Sequence, residues 1–293
     1  MIRLACYTFV VTAAMAQNFP IDHVTVAGRD LKAMTEALSE VTGITAEYGG
    51  PHSNHATEMA LASFPDGSYL ELIAIQPHAD PAALAAHYWH KFLESDGGPC
   101  AWAIHPAAYV TEAERLRKAG VTVTDWHRAG RKRPDGVELD WETAQVGPTN
   151  GGFFPFLIHD FTPRDNRAFP SGKPTTKDFT GVEKVVIAVH DLNAAIQQYQ
   201  RAYLLPAPLR QTDSEFGAKL AFFPLTHVVL ATPLSPDSWL GERLRQFGDA
   251  PCAFVLGTER GEMLNHTIPA GDWFANIRWF ALTNLGGRLG IEQ

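Results

Sequence analysis

The chain has 293 residues, 45% of them hydrophobic, 19% charged and 11% aromatic, a composition that builds a sizeable core and excludes a disordered or fibrous protein. Its net charge is -8 and its one dense basic cluster is Arg128, Arg131, Lys132 and Arg133, so no nucleic-acid partner is expected. No apolar run reaches the roughly 18 residues of a membrane span, and no transmembrane segment is expected in the mature chain.

The first residues read as an export signal. Residues 1–3 supply a short positive region, residues 4–14 a mostly apolar stretch, and Ala14-Met15-Ala16 an A-x-A cleavage pattern ahead of Gln17. A signal peptide at 1–16 makes the mature protein secreted or periplasmic; an ordinary strand or anchor helix is the alternative, because Tyr7, Thr8 and Thr12 dilute the apolar stretch. Cleavage also removes Cys6. Cys100 and Cys252 then permit one disulfide but are too few for a disulfide framework, and two buried thiols are the expectation.

A strand opens at Ile21 and runs into a helix capped by Asp30, whose apolar residues Leu31, Met34, Leu38 and Val41 fall at helical spacing and stop at Gly43. Strands follow at 56–64 and 69–75, joined by the turn Pro65-Asp66-Gly67. A connecting helix is predicted from Pro81 to about Glu94. A second module has strands at 100–105, 121–126, 137–146 and 154–161, and a helix with a capping box, Thr111 and Glu114, that ends at Gly120.

The pattern then repeats. Pro99-Cys100-Ala101-Trp102-Ala103-Ile104 resembles Pro251-Cys252-Ala253-Phe254-Val255-Leu256, and the strand-to-helix passage at 21–31 reads against 182–192, with Asp191 as the second cap. After Asp191 the helical series is Leu192, Ile196, Tyr199 and Tyr203. The mature chain is therefore read as a duplication in which each half holds two modules of strand, helix and three strands. The fourth module is degenerate, with no clear helix signal after Leu256.

Ile21-Asp22-His23-Val24 and Gly67-Ser68-Tyr69-Leu70-Glu71-Leu72-Ile73-Ala74, set in such paired modules, resemble the glyoxalase-like branch of the vicinal oxygen chelate superfamily of glyoxalases, bleomycin-resistance proteins and extradiol dioxygenases. Arg131-Lys132-Arg133-Pro134-Asp135-Gly136 and Phe154-Pro155-Phe156-Leu157-Ile158-His159 look like that branch's second module. The resemblance is strongest over residues 21–165 and weak beyond. It implies an α+β fold of repeated βαβββ modules forming two open, cup-shaped β-barrel halves. It also implies a divalent metal ion in the cup, ligated from the first and last strands of each module. The expected division is the signal peptide, a glyoxalase-like domain with the metal cup at 17–170, and a degenerate second half at 171–293 that serves as scaffold.

Strand parity puts His23, Thr25 and Ala27 on one face and Tyr69, Glu71 and Ile73 on one face of a later strand, so His23 and Glu71 can point into a common cup. In the second module Trp102 takes the position matching His23 and is a substrate contact rather than a ligand, while His159, on a face with Leu157 and Phe161, completes the metal set. Two imidazoles and a carboxylate suit iron(II), zinc, manganese or nickel. His55, just ahead of a strand next to Glu71, is a candidate catalytic residue of the site, as a fourth ligand, a substrate contact or an acid/base group. Arg131 and Arg133 are candidates to grip an anionic substrate group, with an exposed basic loop as the alternative.

His87, His90 and Glu94 form a rival cluster at helical spacing, but beside Leu84, Tyr88 and Phe92 they read as a solvated flank. The repeat aligns Lys184 with His23, Val229 with Glu71 and Ser214 roughly with His55, so the second half keeps no ligand. The expected activity is that of a metal-dependent lyase, isomerase or ring-cleaving oxygenase acting on a small substrate with vicinal oxygens. The alternative is a non-catalytic protein that binds or sequesters a small molecule.

Overall fold

In the computed structural model, which describes residues 20–148, 152–260, 267–269, 277–280 and 284–293, the strand expected at Ile21 is Ile21–Gly28 (β1) and the helix after it is Leu31–Thr42 (α1). Asp30 starts α1 by accepting a hydrogen bond from the Ala33 amide, and Gly43, at φ +74°, ends it in the left-handed conformation open to glycine. The signal sequence expected at 1–16 lies outside the described residues.

The first half continues through β2 (Glu47–Pro51), β3 (Thr57–Ser63), β4 (Tyr69–Ile75), the short helices α2 (Pro81–Ala85) and α3 (His90–Glu94), β5 (Gly98–Ile104), α4 (Tyr109–Lys118), β6 (His127–Lys132), β7 (Glu138–Ala144), β8 (Phe156–Asp160) and α5 (Arg164–Ala168). The second half comprises β9 (Val182–Ala188), α6 (Leu192–Tyr203), β10 (Leu209–Asp213), β11 (Ala218–Phe222), β12 (Val228–Pro233), α7 (Trp239–Phe247), β13 (Ala250–Gly257), β14 (Thr267–Pro269), β15 (Ile277–Phe280) and β16 (Arg288–Glu292).

These strands make two eight-stranded sheets, ordered β2-β3-β4-β1-β5-β8-β7-β6 and β10-β11-β12-β9-β13-β16-β15-β14. Strand for strand the two orders are the same, so the repeat in the sequence is a repeat of topology. Register carries it to single residues: Thr25 pairs with Glu71 as Val186 pairs with Val229, and Val24 with Trp102 as Val185 with Phe254. Each sheet is mixed, and the chain has the α+β fold of two cupped halves that its module pattern implies.

The first sheet curls until its two edge strands meet. Arg131 of β6 donates from Nη1 to the Gly49 carbonyl of β2 at 2.6 Å, tying one edge to the other and leaving an open interior. The second cup is filled instead by a cluster that includes Phe216, Leu220, Phe222, Val229 and Trp279. Lys184, at the position of His23, is ion-paired with Glu292 at 2.8 Å.

The halves join where Gly98 at the start of β5 passes the Leu285 backbone. Gly98 has φ +72°, and a Cβ there would lie 2.2 Å from the Leu285 carbonyl oxygen, so both conformation and space require glycine. Arg243 of α7 seals this junction. It is buried and donates to the carbonyls of Gly97, Pro99, Pro251 and Gly286, and it lies over the Phe92 and Phe247 rings.

Three local expectations are corrected. The helix expected from Pro81 to about Glu94 is interrupted at 86–89, leaving two single turns. The strand placed at 121–126 runs at 127–132; residues 121–126 contribute only an isolated bridge from Val123 to Val146. Charged residues on the outer face of β6 conceal its alternation, so the basic loop of the sequence is an edge strand. Thr111 sits inside α4, which starts at Tyr109 without a side-chain cap. Cys100 and Cys252 are both buried and both free thiols, as expected of two small core residues.

Candidate functional site

β1 and β4 are parallel neighbours, and their inward faces carry His23, Thr25, Tyr69, Glu71 and Ile73. His23, Tyr69, Glu71 and Ile73 line a cavity of about 310 Å³ together with residues of β3, β6, β7 and β8 and the loops at 52–54 and 87–89. Its apolar wall includes Met59, Leu61, Trp89, Trp141 and Phe154.

Asp22 sets the state of His23. Its fully buried carboxyl accepts from His23 Nδ1 at 2.6 Å, from Arg164 Nε at 2.9 Å and from Arg167 Nη1 and Nη2 at 2.7 and 2.9 Å. Burial raises the pKa of Asp22, but Arg167 and His23 outweigh it and hold the group well below the usual carboxylate range. An ionised carboxylate only accepts, so Nδ1 of His23 carries a proton and Nε2 is the nitrogen turned to the cavity. The ring is also stacked on Tyr69 at 4.8 Å and met edge-on by Phe156.

Nε2 of His23 lies 3.9 Å from Glu71 Oε2, and Thr25 Oγ1 donates to the same oxygen at 3.1 Å. The other carboxylate oxygen, Oε1, faces Nε2 of His52 at 3.6 Å, and the His52 ring is fixed by a 2.8 Å contact from Nδ1 to Thr57 Oγ1. Burial raises the pKa of Glu71, while the imidazoles of His52 and His23 and the Thr25 hydroxyl bring it down to about 2. Two ring nitrogens thus converge on one half-buried, ionised carboxylate.

His87, freed from helical geometry by the break between α2 and α3, also lines the cavity. Burial, then the neighbouring His52, pushes its pKa down to about 4 against the pull of Glu71. A histidine with a folded-state pKa below its ordinary value favours the folded state above about pH 6.5, and that contribution is lost as pH falls towards 4. Thermal stability is therefore expected to fall over that window in the wild type and to fall less in His87→Gln; parallel pH profiles would refute the assignment.

Of the residues singled out from sequence, the structure brings together His23, Glu71 and Arg131. His159 is elsewhere: on β8 it is Phe156 and Ile158 that face the cavity, and His159 stacks on Tyr109 of α4 at 3.8 Å. Asp160, the acid beside it, is held by Arg167 at 2.6 and 2.7 Å. Trp102 pairs with Val24 rather than His23, so it enters the buried core and donates from Nε1 to the Gly152 carbonyl. His55 is exposed at φ +57° and does not line the cavity; His52 does. Arg133 is spent on Asp135 and on the carbonyls of Asn166 and Pro170. In the rival cluster, His90 pairs with Glu94 at 3.2 Å and only His87 turns inward.

The donor chemistry of His23, His52 and Glu71 fits a divalent ion: two imidazole lone pairs with their second nitrogens engaged, and one ionised carboxylate. As they stand, no three His, Cys, Asp or Glu side chains among the described residues are drawn together closely enough to hold one.

Two curled sheets of matched topology around a cup with His and Glu on parallel first and last strands define a vicinal oxygen chelate fold. The sequence matches the glyoxalase-like domain family over residues 21–203, and the chain belongs to that family. The match runs past the first sheet into β9 and α6, further than the sequence resemblance at 21–165. A hypothetical protein from Staphylococcus aureus superposes with a TM-score of 0.65 at 11% identity, covering 93% of this chain and 98% of its own. A triple mutant of 4-hydroxymandelate synthase from Streptomyces coelicolor gives 0.58 at 11% identity, over 94% and 92%. Methylmalonyl-CoA epimerase from Streptomyces coelicolor aligns over 39% of this chain and 96% of its own at 18% identity, with a TM-score of 0.35. No curated protein matches the chain by sequence. No helix among the described residues is long and apolar enough to cross a membrane.

Proposed function

We propose that the chain is a metal-dependent enzyme of the glyoxalase-like type, working as a lyase, an isomerase or a ring-cleaving oxygenase on a small substrate with vicinal oxygens in the first-half cavity. The observation that carries this reading is the convergence of His23 Nε2 and His52 Nε2 on the two oxygens of Glu71. His23, His52 and Glu71 would hold iron(II), zinc, manganese or nickel, and the ion when bound supplies Lewis-acid polarisation of the substrate oxygens.

The protein's own groups do the rest. Asp22 keeps a His23 proton on Nδ1 and so leaves Nε2 as the nitrogen turned to the ion. Glu71 is a carboxylate at any physiological pH. His87 is neutral there and able to accept or donate a hydrogen bond to substrate. Trp89, Trp141 and Phe154 give the cavity an aromatic wall. The same aromatic wall favours the second reading, a sequestering cup without catalysis.

Metal analysis of protein purified without a nickel column separates the two. About one ion per chain is expected for the enzyme, and its absence, together with no uptake of added iron(II), zinc, manganese or nickel, would leave the sequestering reading. The site is further proposed to work outside the cytoplasm, in a chain that mass spectrometry of protein from the native host should find beginning at Gln17; intact Met1 in the cytosol would refute this.

A further inference from the structure

We infer that Arg131 is a carboxylate anchor in the cavity, and that the substrate is a compact monocarboxylic acid with an apolar body. This deepens the proposed function and rests on the same cavity being the substrate site. Arg131 projects inward from β6 and is 7% exposed. Its Nη1 is committed to the Gly49 carbonyl, but its Nη2 is buried and has no hydrogen-bond partner among the described residues. A guanidinium donor removed from water with nothing to accept from it is unfavourable, and an anionic ligand would relieve the deficit with a charge-assisted bond.

The surroundings narrow the anion. Arg167, the other arginine at the cavity, is already satisfied by Asp22, Asp160 and Tyr69. One free cationic arm, with Glu71 on the same lining, matches a monoanion and disfavours a phosphate dianion. Met59, Leu61, Trp141 and Phe154 offer a hydrocarbon surface, and about 310 Å³ lies at the small end of ligand cavities, so the body attached to the carboxylate is compact.

Titration calorimetry on the full chain tests this with benzoate, its neutral isostere benzamide, and phenyl phosphate. Saturable benzoate binding is expected, with benzamide about tenfold weaker or worse and phenyl phosphate no tighter. Arg131→Gln should lose about tenfold in benzoate affinity. Arg128→Gln, which alters an exposed pair with Asp140, should lose none. Absence of benzoate binding, equal binding of benzoate and benzamide, tighter phenyl phosphate, or a folded Arg131→Gln that binds benzoate as the wild type does would each overturn the inference. The benzamide comparison needs no variant, so it decides even if Arg131→Gln does not fold. Glu71→Gln separates this inference from the metal reading: it should retain benzoate binding while losing metal.

Discussion

Arg243→Met is expected to destabilise the chain by about 3 kcal/mol or more, enough to threaten folding of a protein of ordinary stability. The methionine matches the length and apolar stem of the side chain and can still pack between Phe92 and Phe247, so the measured loss is that of the guanidinium. That group makes five hydrogen bonds to four carbonyls drawn from both halves: Nη1 to Gly97 at 2.6 Å and Gly286 at 2.8 Å, Nη2 to Pro99 at 2.5 Å and Pro251 at 2.6 Å, and Nε to Pro251 at 3.1 Å. Burial lowers the pKa of Arg243, yet its cation is held by carbonyl dipoles rather than by a carboxylate. Arg243→Lys should recover only part of the loss, because one ammonium cannot reach four carbonyls in a fixed plane. Denaturant unfolding of the two variants checks this; a loss under about 1 kcal/mol for the methionine would show that the junction rests on β5 and β13 alone.

Asp22→Asn is expected to cost about 3–5 kcal/mol at neutral pH and to weaken metal binding by about 10- to 100-fold. The substitution preserves shape but removes a charge that two arginines and His23 share, leaving Arg167 only Asp160 as its acidic partner. It also replaces the carboxylate that fixes the His23 proton on Nδ1 with an amide that can present either its oxygen or its NH2 to that nitrogen. The pH dependence has a definite sign. Asp22 titrates in the folded protein below its ordinary value, so its contribution is complete above about pH 4 to 5 and is lost as pH falls further. The stability gap between wild type and variant should therefore be level from pH 5 upward and narrow below pH 4. A gap that widens in acid would mean the Asp22 carboxyl is not held ionised by Arg164 and Arg167.

The parts of the fold that were legible in the sequence are those where a short-range signal has one physical reading. Asp30 and Asp191 cap helices whose apolar stripes end on time, and the doubled Pro-Cys-Ala motif marks β5 and β13, the paired central strands. His23 and Glu71 were legible because β1 and β4 fix parity over many residues. The misses share a cause. β8 and β5 are buried on both faces, so Phe156, Leu157 and Ile158 show no alternation, and only the pairing of Ala103 with Phe156 decides that His159 faces away. Trp102 fails the same way, one residue out of phase.

His52 was passed over for His55 because both lie in a loop, where parity has no meaning. The available signal was Asn54: its side-chain oxygen accepts from the Ala56 and Thr57 amides, a turn that throws His55 outward and leaves His52 against Thr57. Arg167 could not be found from spacing at all, since its partner Asp22 is 145 residues away.

The central claim is that the reactive centre is His23, Glu71 and His52, with His159 outside it. Metal content of His52→Ala beside His159→Ala, both purified without a nickel column, tests it most directly. The account predicts a chain emptied of metal by His52→Ala and about one ion per chain retained by His159→Ala. Full retention by His52→Ala, or loss by His159→Ala in a chain that still folds, would contradict it.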